Sequence, residues 1–231
     1  MPVAATDGAR PLRRARARRL CGLYALTPDL DDTALLVAKV TAALEGGACA
    51  VQYRHKTASD TLRRTQAHAL ARLHAARGAI YVVNDDPALA AAVGADGVHL
   101  GADDASIVAA RELLGPDRRI GVSCYGDLAR AREAVLQGAD YVAFGSFFAS
   151  STKPGARRVD VALLPAARAL GVPVVAIGGI DAANAPTLID AGADAVAVIS
   201  DVFAHDDVHA IRGAAEAIAA CFAPRRAGGL S

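Results

Sequence analysis

Short β-branched runs alternate along the chain with Ala-rich stretches in which apolar residues recur at helical spacing. Four of these runs begin with nearly the same phrase: GACAV at 47, GADGV at 94, GADYV at 138 and GADAV at 192, at offsets of 47, 44 and 54 residues. In each copy the glycine suits the end of a helix, where a positive φ is favoured, and the residues after it begin a strand. The repetition predicts a chain built from four similar modules.

Four further strand-like runs lie between the copies: CGLYAL at 21, AIYVV at 79, RIGVS at 119 and VPVVAI at 172. Helical patterns separate the eight strands, at about 32–45, 59–77, 87–93, 104–114, 127–137, 160–170, 183–191 and 207–222. Strands that alternate with helices form a parallel sheet covered on both faces, and eight units in about 210 residues favour a closed barrel over an open sheet. We therefore predict a (β/α)8 TIM barrel of the α/β class, folded as a single domain.

The composition agrees with one large folded domain, because 53% of the 231 residues are hydrophobic and 21% are charged. The most apolar stretch, 161–180, is interrupted by Arg168, two prolines and three glycines, so it predicts a short helix and a strand rather than a membrane span. The cysteines are isolated, with no CxxC motif, which favours reduced thiols and a cytoplasmic protein. They are Cys21, Cys49, Cys124 and Cys221.

The net charge of +1 hides an uneven distribution. Residues 1–20 contain six arginines and one aspartate, which leaves a net charge of −4 on the rest and argues against nucleic-acid binding by the body of the protein. We expect a basic, disordered extension over 1–20, the catalytic barrel over 21–222 and a C-terminal tail over 223–231. An Arg-rich, acid-poor N-terminus is also typical of organelle transit peptides, so an organellar location stays open beside the favoured cytoplasmic one.

Polar side chains collect where the predicted strands end, and the carboxyl ends of barrel strands are where the chemistry of such folds takes place. The amino ends of the strands read GAC, GAD and GVP instead. We therefore predict a site built from the loops that follow the strands. Its candidate residues are Gln52, Arg54, Lys56, Asn84, Asp85, Asp103, Asp104, Ser123, Ser146, Ser150, Ser151, Thr152, Lys153, Gly178, Gly179 and Ser200.

The clearest signal within this set is an anion site after the second strand. Strand alternation places Gln52, Arg54 and Lys56 on one face, and partly desolvated cations need an anionic partner. Phosphate or pyrophosphate is the natural ligand. The alternative is a structural network in which Arg54 pairs with Asp85 or Asp104.

Lysine usage supports the anion site. Only three of the 25 basic residues are lysines, and Lys56 and Lys153, but not Lys39, fall at or after strand ends. A compact ammonium between phosphate oxygens is a role that arginine does not fill well. Lys153 belongs to the hydroxyl-rich segment 145–155, which is either a lid that wraps a phosphorylated ligand or a solvated linker.

Two carboxylates on neighbouring loops, Asp85 and Asp104, suggest a magnesium site, because Mg²⁺ takes one or two carboxylates together with water and substrate phosphates. Each also has a local explanation: Asp104 as the N-cap of the next helix, and Asp85 as a turn residue before Pro87. His99 lies inside a strand, where a supporting role is more common than catalysis. The residues indicate no nucleophile, so a non-catalytic phospholigand-binding barrel and a phosphosugar isomerase or epimerase stay open beside a transferase.

Taken in order, seven motifs resemble those of the thiamine-phosphate synthase family, whose members are (β/α)8 enzymes: QYRHK, VVNDD, GVHLGADD, GVSCY, GADYVAFGSFFASSTK, AIGGI and AVISD. The resemblance covers about residues 21–222. It implies a transferase of thiamine biosynthesis that joins 4-amino-2-methyl-5-(diphosphooxymethyl)pyrimidine to a thiazole phosphate, releasing pyrophosphate with the help of Mg²⁺. It further implies a dissociative substitution that needs no general base.

Site residues follow from the same resemblance. The pyrimidine-diphosphate contacts fall on Gln52, Arg54, Lys56, Asn84, Ser123 and Lys153. The metal ligands fall on Asp85 and Asp104, and the thiazole-phosphate contacts on Ser150, Ser151, Thr152, Gly179, Ile199 and Ser200. Arg54, Lys56, Ser123 and Lys153 are the expected catalytic residues.

The chain departs from the family pattern at a few positions. The family usually has Glu where His55 stands, Gln at Ala102, Thr-Pro-Thr at 150–152 and often His at Tyr125. Serine keeps the hydroxyl of threonine, so phosphate binding should survive. The nearest alternative of the same fold is a thiazole tautomerase, which transfers protons and has no pyrophosphate to neutralise. Asp85, Asp104 and Lys153 therefore favour the synthase.

Overall fold

A computed structural model describes residues 20–102, 104–149, 155 and 157–223 of the chain. Eight parallel strands pair in chain order and β8 pairs with β1, which closes the sheet into a barrel. The strands are β1 Gly22–Leu26, β2 Ala50–Tyr53, β3 Ile80–Asn84, β4 Gly97–Leu100, β5 Arg119–Tyr125, β6 Tyr141–Phe144, β7 Val174–Ile177 and β8 Ala195–Val198. The predicted (β/α)8 TIM barrel is confirmed.

Helices follow every strand and cover the outside of the barrel. They are α1 Thr33–Glu45, α2 Asp60–Arg77, α3 Pro87–Val93, α4 Ile107–Leu114, α5 Leu128–Gln137, α6 Leu163–Arg168, α7 Ala185–Ala191, α8 Ser200–Phe203 and α9 Val208–Ala220. Residues 1–19 and 224–231 lie outside the described part of the chain, so the basic extension and the C-terminal tail stay predictions.

The predicted helix positions are right, but several boundaries differ. The helix expected over 104–114 begins at Ile107, because the Ser106 side chain accepts a hydrogen bond from the Ala109 N–H and forms the N-cap. The pattern over 160–170 shortens to α6, and the extra one-turn helix α8 takes up Ser200, which was expected in a loop. Caps and short turns of this kind depend on single hydrogen bonds that apolar periodicity does not report.

The repeated phrase has a physical explanation at the amino end of the barrel. In every copy the backbone N–H of the third residue donates to a carbonyl at the start of the preceding strand, at 2.7 to 2.9 Å. In three copies the third residue is an aspartate, and its carboxylate accepts the N–H of the strand residue whose carbonyl it binds, at 2.8 Å. These reciprocal pairs are Asp96 with Tyr81, Asp140 with Ile120 and Asp194 with Val174. The repeat therefore joins the strands in four consecutive pairs.

The barrel interior is a separate layer made of strand residues and Leu20, without helix side chains. Two buried tyrosines, Tyr24 and Tyr141, lie in it with their rings edge to face at 6.2 Å, among alanines and larger aliphatic residues. Gly121 makes room for one of them, because a Cβ added there would lie 1.9 Å from Cζ of Tyr141. A glycine in the middle of β5 is thus a packing requirement of the interior.

None of the helices in the described part of the chain combines the length and apolar character that a membrane crossing requires. The four cysteines all lie within the described residues, and no disulfide joins them.

Gly121→Ala is expected to destabilise the fold by at least about 3 kcal/mol, because the new methyl group overlaps the Tyr141 ring inside a filled barrel. The matched control is Gly213→Ala in α9, where an added Cβ meets no atom within 4 Å. Alanine there should stabilise the helix by about 0.5 to 1 kcal/mol. Denaturant unfolding of both variants measures the difference, and equal stabilities would show that the interior tolerates the extra methyl group.

Candidate active site

One large cavity of about 1480 Å³ opens at the carboxyl ends of the strands. Pockets for a single small ligand usually measure about 300 to 1,000 Å³, so this cavity has room for two small ligands. Its lining includes every predicted site residue that the structure describes: Gln52, Arg54, Lys56, Asn84, Asp85, Asp104, Ser123, Ser146, Gly178, Gly179, Ile199 and Ser200. Asp103, Ser150, Ser151, Thr152 and Lys153 lie outside the described residues.

The cationic wall of the cavity follows β2. Arg54 donates from Nη1 to Oδ1 of Asp29 at 3.0 Å, and the Lys56 ammonium lies 2.5 Å from Oδ2 of Asp85. Asp29 Oδ1 also accepts the backbone N–H of Lys56 at 3.2 Å. The alternative that paired Arg54 with Asp85 or Asp104 is wrong, because Asp29, in the loop after β1, reaches Arg54 instead. The acidic sequence TPDLDD after the first strand was the available signal.

A buried histidine holds this wall in shape. Nδ1 of His55 accepts the Ala58 N–H at 3.0 Å, which leaves the proton on Nε2 to donate to Oδ1 of Asp31 at 3.1 Å. The loops after β1 and β2 are thereby tied together. His55, which replaces the Glu expected from the family pattern, therefore has a local structural role and does not line the cavity.

The acidic wall follows β3 and β4. Asp85 has a left-handed backbone, with φ of 63°, and its N–H donates to the carbonyl of His99 at 2.8 Å. Asp104 accepts the Gly101 N–H at 2.6 Å. The explanation of Asp104 as a helix cap is wrong, since Ser106 caps α4. Asp85 does lie in the turn before Pro87, but the helix that follows is capped by Asp86. The Asp85 side chain is directed at Lys56 instead.

The carboxyl groups of Asp85 and Asp104 are close enough for each to shift the pKa of the other. Burial alone would raise the pKa of Asp85, but its interactions with Asp104 and Lys56 outweigh burial and hold that pKa below its usual value. Burial and the neighbouring Asp85 raise the pKa of Asp104. Two adjacent carboxylates repel each other, and a proton or a cation between them relieves that repulsion.

Across the described residues, no set of three or more His, Cys, Asp or Glu side chains surrounds a common metal position. The Asp85 and Asp104 pair can therefore supply two protein ligands. Two is a usual number for Mg²⁺, whose other positions are filled by water and substrate phosphates.

A hydrogen-bonded chain crosses the barrel interior directly beneath the cavity. Gln52 Nε2 donates to the Tyr24 hydroxyl at 2.9 Å, the Tyr24 and Tyr141 hydroxyls are 3.0 Å apart, and the Tyr141 hydroxyl lies 3.1 Å from Nδ1 of His99. Nε2 of His99 then lies 2.9 Å from Oγ of Ser123. Two predicted substrate contacts, Gln52 and Ser123, are thus fixed from below by residues that the sequence did not assign to the site.

Both ring nitrogens of His99 are engaged, which agrees with the supporting role expected for it. Burial lowers the pKa of His99 from 6.5 to about 4, against a smaller opposing effect of Asp85. Burial also raises the pKa of Tyr24 and of Tyr141 well above 10. The interior chain is therefore uncharged at neutral pH.

The far wall is formed by the ends of β7 and β8. Gly178 and Gly179 have φ of 109° and 62°, and a Cβ on Gly179 would lie 2.1 Å from the Ala149 carbonyl oxygen. The glycine turn thus packs directly against the loop that follows β6. Buried Lys39 donates to the carbonyl oxygens of Phe203 and His205 at 3.3 and 2.7 Å and so holds α8 against α1. This explains the one lysine that the strand-end pattern left unassigned.

The cavity also includes residues that the sequence did not assign to the site: Tyr24, Asp127, Arg157, Arg158, Asp160, Asp181, Asp201 and His205, together with Tyr125, which stood out only as a departure from the family pattern. Most lie in polar loops with no distinguishing spacing. Tyr24 is hidden in an apolar run, where a tyrosine is not distinguishable from a core residue.

A closed parallel barrel with lysine, arginine and carboxylates at the carboxyl ends of its strands belongs to the class of (β/α)8-barrel proteins, whose sites lie at this end. Residues 23–202 match the family model described as thiamine monophosphate synthase, and the chain belongs to this family. The expected membership in the thiamine-phosphate synthase family, and with it a transferase, is confirmed.

Individual relatives agree. The chain is 56% identical over 189 residues to the thiamine-phosphate synthase of Methylobacillus flagellatus, which covers 82% of this chain and 90% of that protein. It is 57% identical over 196 residues to that of Thiobacillus denitrificans, with 84% and 92% covered. Among solved structures, thiamine phosphate pyrophosphorylase from Pyrococcus furiosus superposes with a TM-score of 0.78 at 37% identity, covering 90% of this chain and 98% of that one.

The lowered pKa of His99 predicts a stability change in acid. Because the unfolded state takes up a proton near pH 6.5 and the folded state only near pH 4, the contribution of His99 is complete above pH 6.5 and is lost as the pH falls towards 4. The loss amounts to about 3 kcal/mol. His99→Asn should therefore reduce the slope of unfolding free energy against pH in this window by up to one proton, whereas His68→Asn on the exposed face of α2 serves as the control. Identical slopes for His99→Asn and the wild type would contradict the buried neutral imidazole.

Proposed function

We propose that this cavity joins 4-amino-2-methyl-5-(diphosphooxymethyl)pyrimidine to a thiazole phosphate, forming thiamine phosphate and pyrophosphate. One observation carries the proposal: the cationic wall and the carboxylate pair meet at the 2.5 Å contact between Lys56 and Asp85, inside a cavity large enough for two substrates. A diphosphate needs cations at its oxygens, and a metal that bridges it to the protein needs carboxylates beside them.

The diphosphate is proposed to lie against Arg54 and Lys56, with Asn84 and Ser123 beside it and Gln52 reaching the pyrimidine. Each of these residues lines the cavity. Gln52 and Ser123 are also fixed by the interior chain, so both reach the substrate from a rigid support. Arg54 is held at its backbone, where N–H and C=O both bond to the Thr27 hydroxyl at 2.8 and 2.9 Å.

The thiazole phosphate is proposed to lie across the cavity, against Gly179, Ile199 and Ser200. Backbone N–H groups after the seventh and eighth strands are the common phosphate site of such barrels. For Ser150, Ser151, Thr152 and Lys153 the proposed contacts rest on the sequence resemblance alone.

Magnesium fits the carboxylate pair. Asp85 and Asp104 both line the cavity and each shifts the pKa of the other, so a divalent cation between them would relieve the repulsion of the two carboxylates. Bound there, Mg²⁺ would neutralise charge on the diphosphate oxygens. Arg54 and Lys56 supply the remaining positive charge from the protein.

The chain's own residues act mainly by stabilising the leaving group. As the bond between the methylene carbon and the diphosphate oxygen breaks, Arg54 and Lys56 donate to the pyrophosphate that departs. The electron-rich aminopyrimidine stabilises the methylene cation, and the thiazole nitrogen attacks it with its lone pair. No general base is needed, which fits a His99 whose two nitrogens are both occupied.

Two other functions are less consistent with this site. A thiazole tautomerase transfers protons and releases no pyrophosphate, so its reaction does not need the opposed cations and carboxylates. A non-catalytic binding barrel would hold phosphorylated ligands without turnover. The partners in the proposal are small molecules, without nucleic acid or membrane, and the proposed location is the cytoplasm.

The first test mixes the purified protein with both substrates, with Mg²⁺ or with EDTA, and measures pyrophosphate and thiamine phosphate together. We expect equal amounts of both with Mg²⁺ and neither with EDTA.

Asp104→Asn should raise the Mg²⁺ concentration for half-maximal rate by about 10- to 100-fold, because it removes one proposed ligand. Asp190→Asn on the exposed face of α7 is the control. Product formation that survives EDTA would remove the metal from the proposal, and substrate binding without any product would favour the binding barrel.

Lys56→Ala should lower kcat about 10²- to 10³-fold with the fold intact, because one donor to the leaving pyrophosphate is lost. Arg72→Ala on the exposed face of α2 removes a cation of no proposed role and should leave kcat unchanged. Steady-state kinetics and thermal unfolding of both variants provide the comparison. Near-wild-type turnover in Lys56→Ala would exclude this lysine from the catalytic machinery.

A further inference from the structure

An exposed aromatic residue stands at the mouth of the cavity. Tyr125 is the last residue of β5, lines the cavity and is 50% exposed. Its backbone has a φ of 54°, in the left-handed region that residues with a Cβ rarely adopt. The pairing of β5 with β6 shifts register between Ser123 and Tyr125, so the strand bends at this point.

The conformation of Tyr125 is held from two sides. Its carbonyl oxygen accepts the N–H of Gly145 at 2.9 Å, and the guanidinium of Arg130 lies 5.9 Å from its ring centroid. Arg130 is itself fixed, because Nε donates to the Ser123 carbonyl at 2.9 Å and Nη2 to the Gly101 carbonyl at 3.4 Å. Arg130 therefore positions the ring next to the ends of β4 and β5. These strand ends also carry Ser123 and the loop of Asp104.

The contact with Arg130 uses the aromatic ring, but it leaves half of the side chain exposed at the cavity mouth. A glycine would adopt the turn without strain, and the carbonyl bond to Gly145 needs no side chain. Strained backbone that persists beside a cavity, with a large ring left exposed, points to a ligand that the ring contacts. The ligand chemistry that suits an exposed aromatic face is another planar ring.

We propose that Tyr125 is a further substrate-contacting residue, whose ring covers the pyrimidine of the first substrate and keeps water away from its methylene carbon. The proposal rests on the proposed function. The pyrimidine is favoured over the thiazole because Tyr125 belongs to the wall of Ser123 and Asp104, whereas the proposed thiazole-phosphate contacts lie at β7 and β8.

The chemistry makes such a cover necessary. When the carbon–oxygen bond to the diphosphate breaks, both electrons leave with pyrophosphate and the methylene carbon becomes electron-deficient. The thiazole nitrogen forms the productive carbon–nitrogen bond. If water reaches the carbon first, its oxygen forms a carbon–oxygen bond, a proton is released to solvent, and the products are the hydroxymethylpyrimidine and pyrophosphate.

The experiment compares Tyr125→Gly with Tyr125→Phe and measures pyrophosphate, thiamine phosphate and hydroxymethylpyrimidine in the same reaction. Glycine removes the ring and suits the positive φ, so the variant should unfold at the wild-type temperature or above. We expect the wild type and Tyr125→Phe to release one pyrophosphate per thiamine phosphate. Tyr125→Gly should release at least twice as much pyrophosphate as thiamine phosphate, with hydroxymethylpyrimidine making up the difference. Its KM for the pyrimidine diphosphate should rise about 5- to 10-fold.

Each other outcome contradicts the proposal. A one-to-one ratio with unchanged KM in Tyr125→Gly would leave the ring without a role. Equal losses of both products would assign Tyr125 to the chemical step rather than to water exclusion, and a higher KM for the thiazole phosphate alone would place the ring over the other substrate. A wild type that forms no thiamine phosphate would instead overturn the proposed function, so the two failures are distinguishable.

Discussion

The chain of hydrogen bonds from Gln52 through Tyr24, Tyr141 and His99 to Ser123 is the interaction on which the rest of the structure depends. It links five of the eight strands inside the barrel, where unpaired polar groups would be costly. Each member satisfies the next, and burial keeps the phenols and the imidazole neutral in this layer. The floor of the cavity is therefore rigid, and both ends of the chain reach the substrate space as positioned amide and hydroxyl groups.

The charged mouth above this floor is organised on a different principle. Two of its cations are already paired, Arg54 with Asp29 and Lys56 with Asp85. Under the proposed function, a diphosphate exchanges these partners for its own oxygens, and a metal held at Asp85 would make Lys56 available to it. Binding of the two charged components is therefore expected to be mutually favourable, because each replaces an interaction that the other disrupts.

The sequence predicts what depends on local pattern. Four of the eight units follow from the GAC and GAD phrases, because the glycine ends a helix and a strand begins after it, and the other four follow from the strand-like runs between them. The strand-end residues assemble because a parallel barrel places them on one face. Sequence reasoning does not identify partners that meet only in three dimensions. Nothing near Arg54 in the chain specifies Asp29, and Tyr24 and Tyr141 resemble ordinary core residues within apolar runs. The bend that exposes Tyr125 is likewise a product of strand register.

The aspartates of the repeated phrase lie at the opposite end of the barrel from the cavity. Their carboxylates accept backbone N–H groups of the preceding strands and make no use of the loops that line the cavity. The two ends of the molecule are thus free to change independently: loops at the mouth can be exchanged for others without weakening the base. A protein engineer who wished to install a different reaction could keep the base as a constant scaffold and vary only the loops at the mouth.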